Sequence, residues 1–247
     1  MTFTIDLNAD IGEGYDDESI LAFVTSGNIA CGGHTGDQET IARTIGLALN
    51  HDVAIGAHPS YPDRRGFGRR SIKIDPETLL GALKEQLTMI RAVAESIGAK
   101  IGHVKPHGAL YNDAAKARHL AECVVAASQA VFPKATIVGP PWGELLDVAR
   151  LSGVDYRAEG FSDRQYLEDG SLMPRVLQGA VIGELKQQIA QAISIAEGRG
   201  ATGPKGEPVP LNVQTLCLHG DTPGAAKSAE AIHQALKRRG IDIKAPQ

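Results

Sequence analysis

Residues 103–112 read HVKPHGALYN. Successive side chains of a strand point to opposite faces, so Val104 and Pro106 share one face while His103, Lys105 and His107 share the other. The same alternation recurs elsewhere. In residues 3–10 Phe3, Ile5, Leu7 and Ala9 oppose Asp6, Asn8 and Asp10; in 53–58 Val53, Ile55 and Ala57 oppose Ala54, Gly56 and His58; in 215–221 Leu216 and Leu218 oppose Thr215, Cys217, His219 and Asp221. Parallel strands covered by helices on both faces read as continuous apolar runs. Here one face is polar, and a closed barrel accounts for it. The apolar face meets the surrounding helices, and the polar set lines the interior, richest at the C-terminal mouth where barrel enzymes keep their sites.

Working outward, seven β-type runs alternate with helical stretches: TFTIDLNAD, NIACGG, VAIGAHP, IGHVKPH, ATIVGPP, DYRAEGFSD and VQTLCLHGD. One helix opens on Asp75-Pro76-Glu77, carries Leu79, Leu83, Leu87, Ile90 and Ile97 on one face, and ends at Gly98. The last follows Asp221-Thr222-Pro223, places Ala225, Ala229, Ile232 and Leu236 at helical spacing, and stops near Gly240. The pattern predicts right-handed βα units and an irregular seven-stranded parallel β/α barrel, read as one domain over residues 1–247. Residues 163–183 lack a helical period and read as a hairpin or extended loop. Residues 198–210, GRGATGPKGEPVP, read as a solvated surface connection, with a flexible lid as the alternative.

Composition narrows the partners. With 25 Lys+Arg against 29 Asp+Glu and a net charge of −4, the chain offers no positive field for nucleic acid or an anionic membrane. No apolar run approaches the ~20 residues of a membrane span, and MTFTIDLNAD lacks the marks of a signal peptide, so a cytoplasmic protein with a small-molecule ligand is expected. Cys31, Cys123 and Cys217 read as reduced thiols. A homo-oligomer is left open.

Polar residues gather after the strands: Asp6, Asn8, Asp10 and Glu13; His34 and Asp37; His58 and Asp63; Lys105, His107 and Asn112; Glu159, Asp163 and Arg164; His219 and Asp221. Any one could be structural, and Asp37 and Asp221, each ahead of a helix, could be N-caps. Desolvating so many in one mouth is costly without a function. Two chemistries fit. In one, Asp10 or Glu13 is general base on water, His107 or His219 the acid, and Lys105 stabilises an oxyanion or phosphate. In the other, Asp10, His34 and His58 bind a divalent metal. Arg69 and Arg70, in GFGRR, could hold a carboxylate or phosphate. No phosphate-binding loop motif is present.

Taken in order, DLNADIGEG (6–14), NIACGGHTGD (28–37), GAHPSYPD (56–63), GFGRR (66–70), VKPHGALYN (104–112), EGFSDRQY (159–166) and LCLHGDTP (216–223) closely resemble the LamB/YcsF lactam-utilisation family. The resemblance implies a barrel of the glycoside hydrolase/deacetylase type. It also implies the role of the A subunit in a bacterial 5-oxoprolinase that opens the lactam of 5-oxo-L-proline to L-glutamate. ATP would be co-substrate, with magnesium for the nucleotide, and subunits B and C the partners. In that setting Asp10, Glu13, Lys105, His107 and His219 are expected to be catalytic. Asn8, His34, Asp37, His58, Arg69, Arg70, Asn112, Glu159, Asp163, Arg164 and Asp221 are expected to bind substrate. Loss of the Lys105 ammonium is expected to stop lactam opening and spare the fold. Ala9 stands where members commonly carry cysteine, and Gly33 where a bulkier residue is frequent, which is expected to reshape the pocket. The alternatives are a metal-dependent carbohydrate or amide deacetylase and a non-catalytic substrate-binding subunit.

Overall fold

The computed structural model describes residues 3–218 and 224–245. In chain order the elements are β1 (Thr4–Ile11), α1 (Asp17–Leu21), β2 (Ser26–Ala30), α2 (Gln38–Asn50), β3 (Ala54–His58), α3 (Pro76–Ile97), β4 (Ile101–Val104), α4 (Gly108–Ala114), α5 (Arg118–Val131), β5 (Thr136–Gly139), α6 (Glu144–Leu151), β6 (Tyr156–Phe161), α7 (Leu185–Ala196), β7 (Ala201–Thr202), β8 (Pro208–Val209), β9 (Thr215–Cys217), α8 (Ala225–Arg238) and β10 (Asp242–Ile243). Strands β1 to β6 pair in sequence order and all in parallel. β9 joins β6 to β1 and closes a seven-stranded barrel, as the alternation predicts. The seven sequence runs supply its seven strands.

The barrel is irregular for local reasons. The register slips between Ile55 and Gly56 where β3 meets β4, because Gly56 has no side chain and the His103 imidazole fills its place; a Cβ there would lie 2.1 Å from His103 Nε2. β9 spans only Asp6 to Asn8 of the long β1, so β10 takes the remaining edge at Thr4 and Ile5.

Helices form where caps and apolar spacing agree. Asp75 accepts from Thr78 N, Pro76 opens α3, and Gly98 ends it at φ 77°. Leu79, Leu83, Leu87 and Ile90 are buried against the barrel. Ile97 departs from the predicted stripe: it sits at the frayed last turn and is 40% exposed. In α8, Ala229, Ile232 and Leu236 are buried, Ala225 is only half-buried, and the chain turns at Gly240 with φ 71°. The apolar core lies between barrel and helices, where Ile5, Leu7, Ala9, Ile29, Ala57, Val104, Ile137 and Leu216 face outward. Ala9 belongs to this apolar layer, remote in direction from the polar interior.

Residues 163–183 form an extended excursion pinned by the bridges Arg164–Val181 and Tyr166–Leu172. Residues 198–210 are less open than their composition suggests, because β7 and β8 pair antiparallel. No helix of the described residues is long and apolar enough to cross a membrane.

Candidate functional site

The barrel interior is a polar network built from the inward residues of consecutive strands. At its base Asp6 accepts from Thr25, Ser26 and Thr215. Burial raises the Asp6 carboxyl above its ordinary pKa despite those donors. One layer higher, Asn8 donates to Glu159 Oε1 at 2.9 Å and Thr215 Oγ1 at 2.7 Å. Asn28 donates to Asn8 Oδ1 at 2.8 Å and Asp10 Oδ1 at 2.9 Å, while His103 Nε2 meets Asn28 Oδ1 at 2.8 Å. A neutral His103 fits this place, because burial pushes its pKa down to about 3.

Lys105 crosses the barrel below the mouth. Only 2% exposed, its Nζ donates to Glu159 Oε1 at 2.8 Å, Asp10 Oδ1 at 3.0 Å, Asn8 Oδ1 at 3.3 Å and Cys217 Sγ at 3.3 Å. Burial alone would neutralise the amine. The charges of Asp10 and Glu159 outweigh it and hold the pKa well above the usual lysine value, so Lys105 is a permanent cation rather than a base. Burial raises the Cys217 thiol well above its ordinary pKa and takes Cys31 to about 12, so neither is a poised nucleophile.

Above Lys105 the imidazoles and carboxylates meet. His34 Nε2 lies 2.9 Å and His107 Nδ1 3.2 Å from Glu13 Oε1; His58 Nε2 lies 3.3 Å from Asp10 Oδ2 and 3.0 Å from His107 Nδ1. The rings of His34 and His107 stack at 3.7 Å. Burial pushes Glu13 upward, but the bonds from His107 and His34 win and keep it ionised. Burial lowers His34 to about 4 and also lowers His107.

This cluster floors a cavity of about 450 Å³. Its walls include Arg69, Tyr111, Asn112, Lys116 and Phe161, and the 163–183 excursion adds Arg164, Leu172, Met173, Pro174, Arg175 and Val176. The excursion, rather than the 198–210 connection, therefore rims the site. Arg164 is buried and anchored by its own segment, donating to Ala180 O and Met173 O. Arg69 lies 5.0 Å above the Phe67 ring.

Most of the residues singled out in the sequence thus converge: Asp10, Glu13, His58, Lys105 and His107 at the floor, His34 behind Glu13, Asn8 and Glu159 beneath, Arg69, Asn112 and Arg164 on the walls. Asp163 is buried next to Arg164. His219 and Asp221 lie outside the described residues. Two of the expected binding residues need correction. Asp37 is exposed and caps α2, its Oδ1 accepting from Thr40 N at 2.8 Å. Arg70 is exposed and does not line the cavity. Asp37→Ala should lower the midpoint of a urea melt, through loss of the α2 cap, and leave any cavity chemistry unchanged. Gly33 does not shape the cavity either; a Cβ there would strike Gln86 Oε1 and Ser60 Oγ, which lie behind it. The trio Asp10, His34 and His58 is also redrawn. The donors that come together are Asp10, His58 and His107, and beside them Glu13, His34 and His107. Sequence reasoning passed over Asn28 and Phe67. Alternation in β2 marks Asn28 as inward, whereas Phe67 acts through its carbonyl, which accepts from His107 Nε2 at 3.0 Å and leaves no side-chain signal.

Comparison with known proteins finds relatives along nearly the whole chain. The A subunit of 5-oxoprolinase from Methylococcus capsulatus is 42% identical, covering 99% of this chain and 96% of that one. The corresponding 5-oxoprolinase A subunit of Bordetella parapertussis is 44% identical over 99% of this chain and all of its own. The crystal structure of the lactam utilization protein from Thermus thermophilus superposes with a TM-score of 0.93 at 34% identity, covering 98% of this chain and 100% of that one. Residues 5–247 match the model of the LamB/YcsF family, and to that family this chain belongs.

Proposed function

We propose that the chain is the A subunit of a cytoplasmic, ATP-dependent 5-oxoprolinase and opens the lactam of 5-oxo-L-proline to L-glutamate. The observation that carries this reading is the cavity itself. A floor of carboxylates, imidazoles and one fixed ammonium stands below walls bearing guanidinium groups, which suits a small amide with an anionic substituent. The names of the relatives point the same way.

A five-membered lactam is an unstrained, resonance-stabilised amide, so its opening needs driving. Phosphorylation of the amide oxygen gives an imidate. Water adds at that carbon, the C–N bond breaks as the ring nitrogen takes a proton, and hydrolysis of the acyl phosphate releases glutamate and phosphate. No phosphate-loop motif occurs in this chain, which favours ATP and its magnesium being handled by subunits B and C. Here Asp10 or Glu13 receives the proton of the attacking water, and His107 returns one to the nitrogen. Lys105, already charged and immobile, offsets negative charge developing beside it, at no reorganisation cost. Arg69 and Arg164 hold the substrate's anionic groups.

The test is ATP-dependent glutamate formation by this chain alone and after mixing with the two candidate partner subunits. Turnover is expected only in the mixture, and partners that give full turnover without this chain would reject the reading. In the mixture Arg69→Met should raise KM for the lactam about tenfold with kcat little changed, because it removes binding that ground state and transition state share.

A further inference from the structure

The geometry points to a divalent metal site on the cavity floor, held by Asp10, His58 and His107 with Glu13 as fourth donor. The argument starts from where the imidazole protons must be. A carbonyl oxygen can only accept. His58 Nδ1 lies 2.7 Å from Lys105 O and His107 Nε2 lies 3.0 Å from Phe67 O, so those two nitrogens carry the hydrogens. In the neutral rings the opposite nitrogens, His58 Nε2 and His107 Nδ1, are therefore lone pairs. They face each other at 3.0 Å. Carboxylate oxygens flank them: Asp10 Oδ2 at 3.3 Å from His58 Nε2, and Glu13 Oε1 at 3.2 Å from His107 Nδ1. With both rings neutral, four acceptors point at one small volume with no hydrogen between them, an arrangement that only an added proton or a metal ion relieves.

The spacings identify the kind of cation. Donors bound to one ion at about 2.0–2.2 Å stand roughly 3.0–3.5 Å apart along the edges of its coordination shell. Three of the separations fall in that window, and His58 Nε2 to Glu13 Oε1 is wider at 4.0 Å. The outer partners are those that orient metal ligands. Backbone carbonyls fix both imidazole tautomers, Lys105 and Asn28 bond the other oxygen of Asp10, and His34 Nε2 steadies Glu13. Charge points the same way: Asp10 and Glu159 pair with the Lys105 ammonium, and Glu13 adds a third carboxylate beside the imidazoles. Two imidazoles with two carboxylates select a first-row divalent ion such as zinc, manganese or cobalt over magnesium or calcium. Because the cluster floors the cavity, the ion keeps a position open to solvent, where bound water becomes acidic enough to supply hydroxide near neutral pH, taking over the proton transfers assigned above to Asp10, Glu13 and His107.

The test needs neither lactam nor partners. The full chain, stripped with a chelator, is titrated with Co²⁺ by visible absorption and with Zn²⁺ by calorimetry. One equivalent is expected, with a d–d band for cobalt. Asp10→Asn and His107→Gln, checked for retained fold by circular dichroism, should weaken binding at least a hundredfold, whereas Asp37→Asn should bind as wild type. Uptake below about 0.1 equivalent at excess metal, or wild-type affinity in both folded site variants, would overturn the inference. Ion binding without lactam opening in the reconstituted mixture would reject the proposed function and leave the site standing; lactam opening with no ion bound would do the reverse.

Discussion

Lys105→Met is expected to abolish glutamate formation in the reconstituted mixture and, contrary to the reading from sequence alone, to destabilise the chain. The ammonium is nearly inaccessible and holds Glu159 Oε1 at 2.8 Å and Asp10 Oδ1 at 3.0 Å. Removing one partner of a buried ion pair leaves the other uncompensated, which costs about 3–5 kcal/mol. In a chain of this size that corresponds to a fall of roughly 10 °C in Tm. Turnover should fall by more than about a hundredfold, the scale for losing one preorganised charge at a developing anion. Two effects of one substitution can be separated by a second. Glu159→Gln removes one stranded carboxylate and keeps an acceptor for Asn8, which donates to Oε1 at 2.9 Å. Lys105→Met with Glu159→Gln should therefore recover roughly 1–3 kcal/mol of the lost stability, a coupling typical of residues in contact. Glutamate formation should stay absent. Lys105→Met with wild-type Tm and turnover would show that the ammonium does neither task.

The barrel was legible because alternation is a property of neighbouring residues. Asp6, Asn8 and Asp10 on one strand, with His103, Lys105 and His107 on another, put polar groups on a single face, and only closure gives that face an interior. Which histidines act together was not legible. His58 ends β3 and His107 follows β4, so strand pairing brings them close, as the bond from Lys105 N to Ala57 O shows. His34 follows the turn after β2, and the loop path rather than the strand period turns it onto Glu13 and the face of His107. Asp37 illustrates the opposite failure. An aspartate before a helix has the same sequence signature whether it caps or binds, and exposure decides for the cap. The 163–183 excursion has no period at all. Its part in the site follows from the bridges that fold Met173 and Arg175 over the mouth, contacts too distant along the chain for local pattern to reveal.

Gly108→Ala should be the most damaging single methyl group in the opening stretch. Gly108 has φ +59°, and a Cβ would lie 2.5 Å from the backbone oxygen of Gly68, with the Gly68 carbonyl carbon at 3.1 Å. Both objections are to backbone, which cannot rotate away as a side chain would. The left-handed conformation adds roughly 1–2 kcal/mol and the overpacking about 1–3 kcal/mol. The loop that would have to retreat is the one that aims the site. Gly68 O accepts from Ala109 N at 2.9 Å, Phe67 O accepts from His107 Nε2 at 3.0 Å, and Arg69 leans on Phe67. His107 stands at the N-cap position of α4 yet makes no side-chain cap, because its ring is committed to Phe67 O, Glu13 and His58. Displacing residues 66–70 frees that ring and withdraws Arg69 together, so turnover should drop further than stability alone predicts, by about a hundredfold or more with a KM increase. Gly102→Ala is the matched control. It lies on the same stretch of chain, faces outward, and its added Cβ would come no closer than 3.8 Å to Ile55 O. That substitution should leave turnover unchanged and stability equal or slightly higher, because alanine narrows the unfolded ensemble. If Gly108→Ala and Gly102→Ala behave alike in melts and in turnover, the 66–70 loop does not position His107, and the imidazole is aimed by the strand alone.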